Sequence, residues 1–329
     1  MSDAAIAVEN LSKTYVEGLI FRKRQLALKD LTLEVRRGEI FGLLGANGAG
    51  KTTFIKILLG IIRKSAGKAT LLDFPAGDRR GRKRVGYLPE NLRVPRHLTG
   101  LTALEYYGQL SGVPMSEIRQ KRMPLLEMVG IAPRAKDSVR TYSKGMLQRL
   151  GLAQAMLHDP DLLIMDEPTD GLDPVARSQV RGFLVELKRQ GKTIFLNSHI
   201  LQEVQLVCDR VAILDKGVLR RVGSVSEITT DPALAARVGV NGDQIELHLE
   251  LSGDRSLAQQ TLNFFRVVEF HSVELSRHQL VLHVQSQEEV DRLIDQLRRA
   301  NLSIMNLTRR RATLEDAFLD IVQATAAPD

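Results

Sequence analysis

Hydrophobic and polar positions follow two regimes along this chain. Through about residue 225, short unbroken apolar runs stand between longer stretches with helical spacing. The clearest runs are Glu39–Leu44 (Glu-Ile-Phe-Gly-Leu-Leu), Asp161–Met165 (Asp-Leu-Leu-Ile-Met) and Lys192–Asn197 (Lys-Thr-Ile-Phe-Leu-Asn). Runs this short and this apolar read as strands buried on both faces, and their alternation with helices predicts a mainly parallel sheet covered by helices. Thr53–Ile62 predicts an apolar helix just after the first of these strands. From about Leu92 to His158 the pattern is helical and broken by Pro95, Pro114, Pro124 and Pro133, so this stretch reads as a helical insertion into the sheet domain.

The composition shifts after Gly223. Residues 1–225 are expected to form one domain, with the helical insertion at about 92–158. A linker is expected over 226–242 and a second, smaller α+β domain over 243–329. In the tail, Ile245, Leu247, Leu249 and Leu251 alternate, as do Leu280, Leu282 and Val284. Both are strand signatures. Arg255–Phe265 reads as a helix, Val267–Leu275 as a strand, and Val290, Leu293, Ile294 and Leu297 mark one face of a helix. Leu302–Arg309 would close the sheet, and Thr313–Gln323 would be a last helix with Thr313 as N-cap. The order βαββαβ resembles a ferredoxin-like fold. His248, His271, His278 and His283 lie on these segments without ligand-type spacing, and read as sheet or surface histidines.

The chemistry concentrates where the buried runs end. After Glu39–Leu44 comes Gly45-Ala46-Asn47-Gly48-Ala49-Gly50-Lys51-Thr52-Thr53. This fits the template G-x-x-x-x-G-K-[ST], in which small residues let successive backbone N–H groups face one anion. A strand on one side and a helix on the other place it at a helix N-terminus, whose dipole favours phosphate. The spacing assigns Lys51 to the β- and γ-phosphates of a nucleoside triphosphate and Thr52 to Mg²⁺. Asp161–Met165 ends at the acidic pair Asp166-Glu167, and Lys192–Asn197 ends at Ser198-His199. Ligands of open α/β sheets sit beyond the C-terminal strand ends, so both endings point toward the nucleotide. Asp166 would help hold Mg²⁺, Glu167 would polarise the water that attacks the γ-phosphate, and His199 would reach that phosphate or water.

Composition narrows the picture further. The chain has 329 residues, enough for two domains, and its 43% hydrophobic and 26% charged content is that of a globular protein. The single cysteine, Cys208, excludes an internal disulfide framework and fits a reducing compartment. Nothing at the N-terminus resembles a signal peptide, and no apolar run approaches the ~20 residues that span a bilayer. A membrane role is therefore expected through a partner. The net charge of +7 gathers in Arg22-Lys23-Arg24, in Arg79-Arg80 with Arg82-Lys83-Arg84, and in Arg309-Arg310-Arg311. With no tryptophan and few aromatics among these runs, solvated faces are expected and nucleic acid is not.

Ser143 would cap a helix that continues through Met146, Leu147, Leu150, Ala153, Met156 and Leu157, with a serine hydroxyl and a glycine N–H at its start. The full stretch Tyr142-Ser143-Lys144-Gly145-Met146-Leu147-Gln148-Arg149 resembles the signature sequence of ATP-binding-cassette (ABC) transporters, and about Ile6–Gly223 resembles their nucleotide-binding subunit. The resemblance implies a P-loop cassette: a mainly parallel sheet with antiparallel N-terminal strands and a helical insertion. It also implies a head-to-tail homodimer with two composite ATP sites. In each, residues 45–53, Asp166, Glu167 and His199 of one chain would meet Ser143, Lys144, Gly145 and Met146 of the other. Gly171-Leu172-Asp173 matches the loop that communicates across that interface, and Tyr15 stands where the family stacks an aromatic on adenine, a core or loop tyrosine being the alternative.

Three positions depart from the family pattern. Lys144 replaces a glycine, Met146 replaces a glutamine, and Glu90, in Tyr87-Leu88-Pro89-Glu90, stands where glutamine is common. A carboxylate there still serves Mg²⁺, and Lys144 would add positive charge. These variants, and a tail ending Ala312-Thr313-Leu314-Glu315-Asp316-Ala317-Phe318-Leu319, resemble a subgroup tied to export permeases. The resemblance thus implies an ATPase that powers export through a separate membrane subunit, with the chain peripheral on the cytoplasmic face of the membrane. A soluble cassette ATPase acting on ribosomes or DNA, and a nucleotide-gated scaffold, are the alternatives.

Overall fold

The computed structural model describes residues 3–17, 23–230, 245–274, 276–309 and 313–324. Arg22, Arg310, Arg311, Ala312 and most of the expected linker lie outside the described residues. The chain divides into two compact units, Met1–Val225 and Ser226–Asp329.

The first unit holds two sheets. Strands β1 (Ala4–Glu17) and β2 (Lys23–Arg36) pair antiparallel, and β4 (Ala66–Leu71) and β5 (Phe74–Pro75) extend them into a four-stranded antiparallel sheet in the order β2-β1-β4-β5. The second sheet is the one that positions the site. It comprises β3 (Ile40–Leu44), β6 (Val85–Leu88), β7 (Leu162–Asp166), β8 (Thr193–Asn197), β9 (Arg210–Asp215) and β10 (Val218–Ser224), in the order β10-β9-β3-β8-β7-β6. All neighbours are parallel except the terminal pair β9–β10. Strands β3, β7 and β8 are buried at every residue, as their unbroken apolar runs require.

Helices join these strands. Between β3 and β4 runs α1 (Lys51–Leu58), and α2 (Arg79–Arg82) precedes β6. The crossover from β6 to β7 is the helical insertion: α3 (Gly100–Leu110), α4 (Met115–Met128) and α5 (Lys144–Met156). Then α6 (Pro174–Arg189) follows β7, α7 (Leu201–Val207) follows β8, and α8 (Val225–Thr229) follows β10.

The structure departs from the sequence expectation at α1 and at Pro124, and the expected helix Arg255–Phe265 stops at Leu262. Helix α1 begins at Lys51 and stops at Leu58, so it starts and ends earlier than Thr53–Ile62. Gly60 adopts a positive φ of 71°, which ends the helix before the apolar run does. Pro124 does not break its segment; it sits inside α4. Both Pro124 and Gln120, whose carbonyl loses its helical donor, are exposed, so the lost bond lies on a solvent-facing side of the helix. The basic stretch 79–84 forms the short helix α2 and the turn after it. Arg79, Arg80, Arg82 and Lys83 are exposed, Arg80 pairs with Asp78 and Arg84 with Asp161.

The second unit follows the βαββαβ order. It comprises β11 (Ile245–Ser252), α9 (Arg255–Leu262), β12 (Arg266–Glu274), β13 (Arg277–Val284), α10 (Gln287–Arg299) and β14 (Ser303–Arg309), with α11 (Leu314–Ala324) after them. The strand order β12-β13-β11-β14, antiparallel throughout, is that of a ferredoxin-like sheet. Leu247, Leu249, Leu251, Leu280, Leu282 and Val284 from the sheet meet Val290, Leu293 and Leu297 from α10 in one core. Thr313 caps α11, its hydroxyl accepting from the Asp316 N–H at 3.1 Å. His278 is fully buried: its ring bonds Ser272 at 3.0 Å and the Gly253 carbonyl at 3.1 Å.

Candidate nucleotide site

The register of the parallel sheet builds the site. Asn197 on β8 lies level with Leu43 on β3 and with Asp166 on β7, so three strand ends form one row. The loop 45–50 leaves β3 there and turns into α1. At Gly50 the backbone takes φ 105°, and a Cβ would lie 2.6 Å from the Ala27 carbonyl. Only glycine supplies that turn. Phe54 fixes the helix behind the loop, its ring 5.8 Å from Phe195 on β8. Full burial of one such ring stabilises by about 2–3 kcal/mol.

Lys51 is 7% exposed, and its ammonium donates to the Gly45 carbonyl at 2.6 Å and the Ala46 carbonyl at 3.2 Å. Burial holds it below the usual lysine value, against the opposing pull of Glu167, Asp166 and Glu90. One cation and three carboxylates therefore share a field. Asp166 is pushed up by burial and by Glu90, partly offset by a short hydrogen bond from the Asn197 amide and by Lys51. The other amide atom, Asn197 Oδ1, is buried without a hydrogen-bond partner among the described residues. Tyr87, at the end of β6, is raised to about 12 by burial and by Asp166 and Glu90.

Glu167 has the most constrained position in the site. It adopts φ 53°, a left-handed conformation costly for a side chain with a Cβ. Its N–H donates to the Asn197 carbonyl at 2.9 Å, and its own carbonyl accepts from Gln148 Nε2 and the Asp170 N–H, each at 3.2 Å. Its carboxylate meets His199 Nδ1 at 2.7 Å and accepts the His199 N–H at 3.2 Å. Burial raises its pKa, while the His199 contacts pull it back. A desolvated carboxylate held by an imidazole is a suitable acceptor for a proton from water.

The other sequence candidates fall into two groups. Tyr15 is half-buried, its hydroxyl 3.4 Å from Thr53 and its ring faced by Lys13 at 4.9 Å, so it lies by the phosphate loop. Ser143, Lys144, Gly145 and Met146 open α5. The Ser143 hydroxyl accepts from the Met146 N–H at 3.2 Å, and the serine is exposed. Among the described residues, this segment bonds to its own helix and to Asp170, and to no atom of the phosphate loop. Leu172 is buried, Asp173 caps α6 by accepting from the Ala176 N–H at 2.8 Å, and Gly171 lies under the Lys144 side chain.

Sequence reasoning missed Asn197, Gln148 and Asp170. Asn197 ends a recognised strand, and a polar residue closing an apolar run was its only signal. Gln148 lies within the signature and is 4% exposed, which a polar residue on a buried helix face does not announce.

The sequence profile of the family described as ABC transporter matches residues 28–170. An ABC transporter ATP-binding protein of Synechocystis sp. is 42% identical over 94% of this chain and 82% of its own length. The chain belongs to the ABC transporter ATP-binding proteins. It is an ATPase subunit of that family, with an ATP-binding cassette at its N-terminal side. The Nod factor export ATP-binding protein I of Bradyrhizobium diazoefficiens is 34% identical over 97% of this chain and 96% of its own, so the likeness extends into the second unit. A solved ATP-binding subunit of an ABC transporter aligns with a TM-score of 0.62 and 30% identity, covering 72% of this chain and 95% of that one.

Proposed function

We propose that this ABC ATPase works as a head-to-tail homodimer around two Mg²⁺-ATP and drives export through a separate permease. Glu167 carries the reading: a buried, raised carboxylate fixed by His199 at the end of the strand that bears Asp166. In each composite site, backbone N–H groups of 45–53 and the Lys51 ammonium hold the β- and γ-phosphates. Tyr15 offers a ring face to adenine. Glu167 orients a water and takes its proton as the water oxygen bonds the γ-phosphorus and the bridging oxygen leaves with ADP. His199 keeps the carboxylate aimed.

The donor set suits Mg²⁺. Thr52, Asp166 and Glu90 supply hard oxygens, and no group of three or more His, Cys, Asp or Glu among the described residues forms a closed metal cage. Mg²⁺ keeps several waters and prefers one or two carboxylates plus phosphate. The orphaned Asn197 Oδ1 beside Asp166 suits a water of such a hydrated ion. The ion would neutralise charge on the β- and γ-oxygens.

The exposed Ser143 hydroxyl and the Gly145 N–H, free of the phosphate loop in their own chain, would meet the partner's γ-phosphate. Gly171, Leu172 and Asp173 would line the seam. ATP then joins the subunits, and loss of phosphate releases them. Among the described residues no helix is long and apolar enough to cross a membrane, so the link to the bilayer is assigned to the permease. A relative named as a Nod factor export ATP-binding protein supports the reading of export. The test is Glu167→Gln with ATP and Mg²⁺. Phosphate release should fall about 10²–10⁴-fold, and size-exclusion chromatography should show an ATP-dependent dimer. A variant that hydrolyses normally and stays monomeric refutes the reading.

A further inference from the structure

Lys144 stands where the family pattern has glycine, and the structure gives its charge a partner inside its own chain. Its ammonium lies 2.7 Å from Asp170 Oδ2, and the pair holds Asp170 below the usual carboxylate range. The Asp170 N–H in turn donates to the Glu167 carbonyl at 3.2 Å. A Cβ on Gly171 would meet Lys144 Nζ at 2.5 Å and its Cδ at 3.0 Å, so the lysine stem lies across that glycine. One turn further along α5, Gln148 Nε2 reaches the same Glu167 carbonyl. The helix that begins with the signature is therefore tied twice to the turn carrying Glu167.

We propose that Lys144 is a positioning residue: through Asp170 it holds the loop 168–173 of its own subunit and fixes the backbone that aims Glu167. Its charge serves this loop in cis and contacts no phosphate of the partner's nucleotide. A displacement of α5 by nucleotide at the signature then reaches the subunit's own Glu167 through two bonds, which couples the two composite sites. The glycine at 171 leaves room for the lysine. This rests on the reading of Glu167 as the water-orienting carboxylate.

The test is a double-variant cycle on the full chain: Lys144→Met, Asp170→Asn and both together. Two readouts are taken, hydrogen exchange of the segment 167–173 without nucleotide and kcat and KM for Mg²⁺-ATP. Side-chain exposures of 57% and 40% make this a solvent-screened pair, so the expected single-variant effects are about two- to fivefold. Each single variant should speed exchange and lower kcat by similar factors, with KM changed less than about twofold and the double variant no worse than either. The reversed pair Lys144→Asp with Asp170→Lys should recover most of the loss, and all effects should shrink near 0.5 M salt. Unchanged exchange, additive effects, or a raised KM in Lys144→Met with a silent Asp170→Asn overturns the proposal. Normal turnover by Glu167→Gln would instead refute the reading of Glu167, while exchange would still decide whether Lys144 holds the loop.

Discussion

Ser143 offers a test in which two roles of one hydroxyl separate cleanly. In the structure its oxygen accepts the Met146 N–H at 3.2 Å, the capping bond of α5. Accepting uses a lone pair and leaves the O–H proton free to donate to an anion. The capping contribution is known in scale: Ser→Ala at an N-cap costs about 1 kcal/mol and Ser→Gly only a few tenths. For a unit of this size, 1 kcal/mol lowers Tm by about 2–4 °C. The catalytic contribution differs in both size and pattern. A hydrogen bond to a charged phosphate contributes about 1.5–3 kcal/mol, or roughly 10–150-fold in kcat. Ser143→Ala and Ser143→Gly should therefore diverge in thermal melting but lose kcat equally, measured by phosphate release well below Tm. The glycine variant decides the matter, because it keeps the helix start and removes only the donor. If Ser143→Gly retains wild-type kcat and still forms the ATP-dependent dimer of the Glu167→Gln background, Ser143 is only a cap and the composite site fails.

Two further outcomes follow from the site. The Glu167 pKa is raised by burial, so its contribution to stability is present below the ordinary glutamate range and is lost as pH rises through the folded value. Glu167→Gln should then melt above wild type at pH 7 without nucleotide, and the gap should close below about pH 4; a variant less stable at pH 7 contradicts the assigned burial cost. At Tyr15, a ring face is all that stacking needs, so Tyr15→Phe should keep KM for ATP within about twofold while Tyr15→Ala raises it about 3–10-fold. Equal loss in both would assign the role to the hydroxyl near Thr53 instead.

Much of the fold was legible because the buried strands of the parallel sheet are uniform in sequence. Ile40–Leu44 is apolar throughout and Thr193–Asn197 is apolar at Ile194, Phe195 and Leu196, so no competing pattern obscures them. The phosphate loop was legible for a similar reason, since its glycines answer a local backbone demand. Non-local facts were not legible. Nothing in Thr193–Asn197 says that it inserts between β3 and β7, which is what brings Asn197 to Asp166. Helix ends were set by single backbone conformations, as at Gly60, and Pro124 was absorbed because its helix face is solvated. The sequence marked Lys144 as a departure without showing that Asp170, 26 positions later, receives its charge.

The geometry around Glu167 explains why so many elements converge on one residue. A non-glycine residue at φ 53° and a desolvated carboxylate are each unfavourable, by about 1–3 kcal/mol for the backbone alone. Such a conformation persists only when its surroundings leave it no alternative. Here the restraint comes from separate directions: Asn197 on β8 takes the N–H, Gln148 on α5 and Asp170 in the following turn share the carbonyl, and His199 holds the carboxylate twice. Removing any one partner leaves the others to carry the strain, and the carboxylate is then free to relax toward an ordinary, solvated state that orients water poorly. Two of these restraints, Gln148 and Asp170, are tied to the helix that begins with the signature. On the proposed reading, strain that the signature helix helps to hold is strain it can release, which would be a physical basis for timing hydrolysis to assembly.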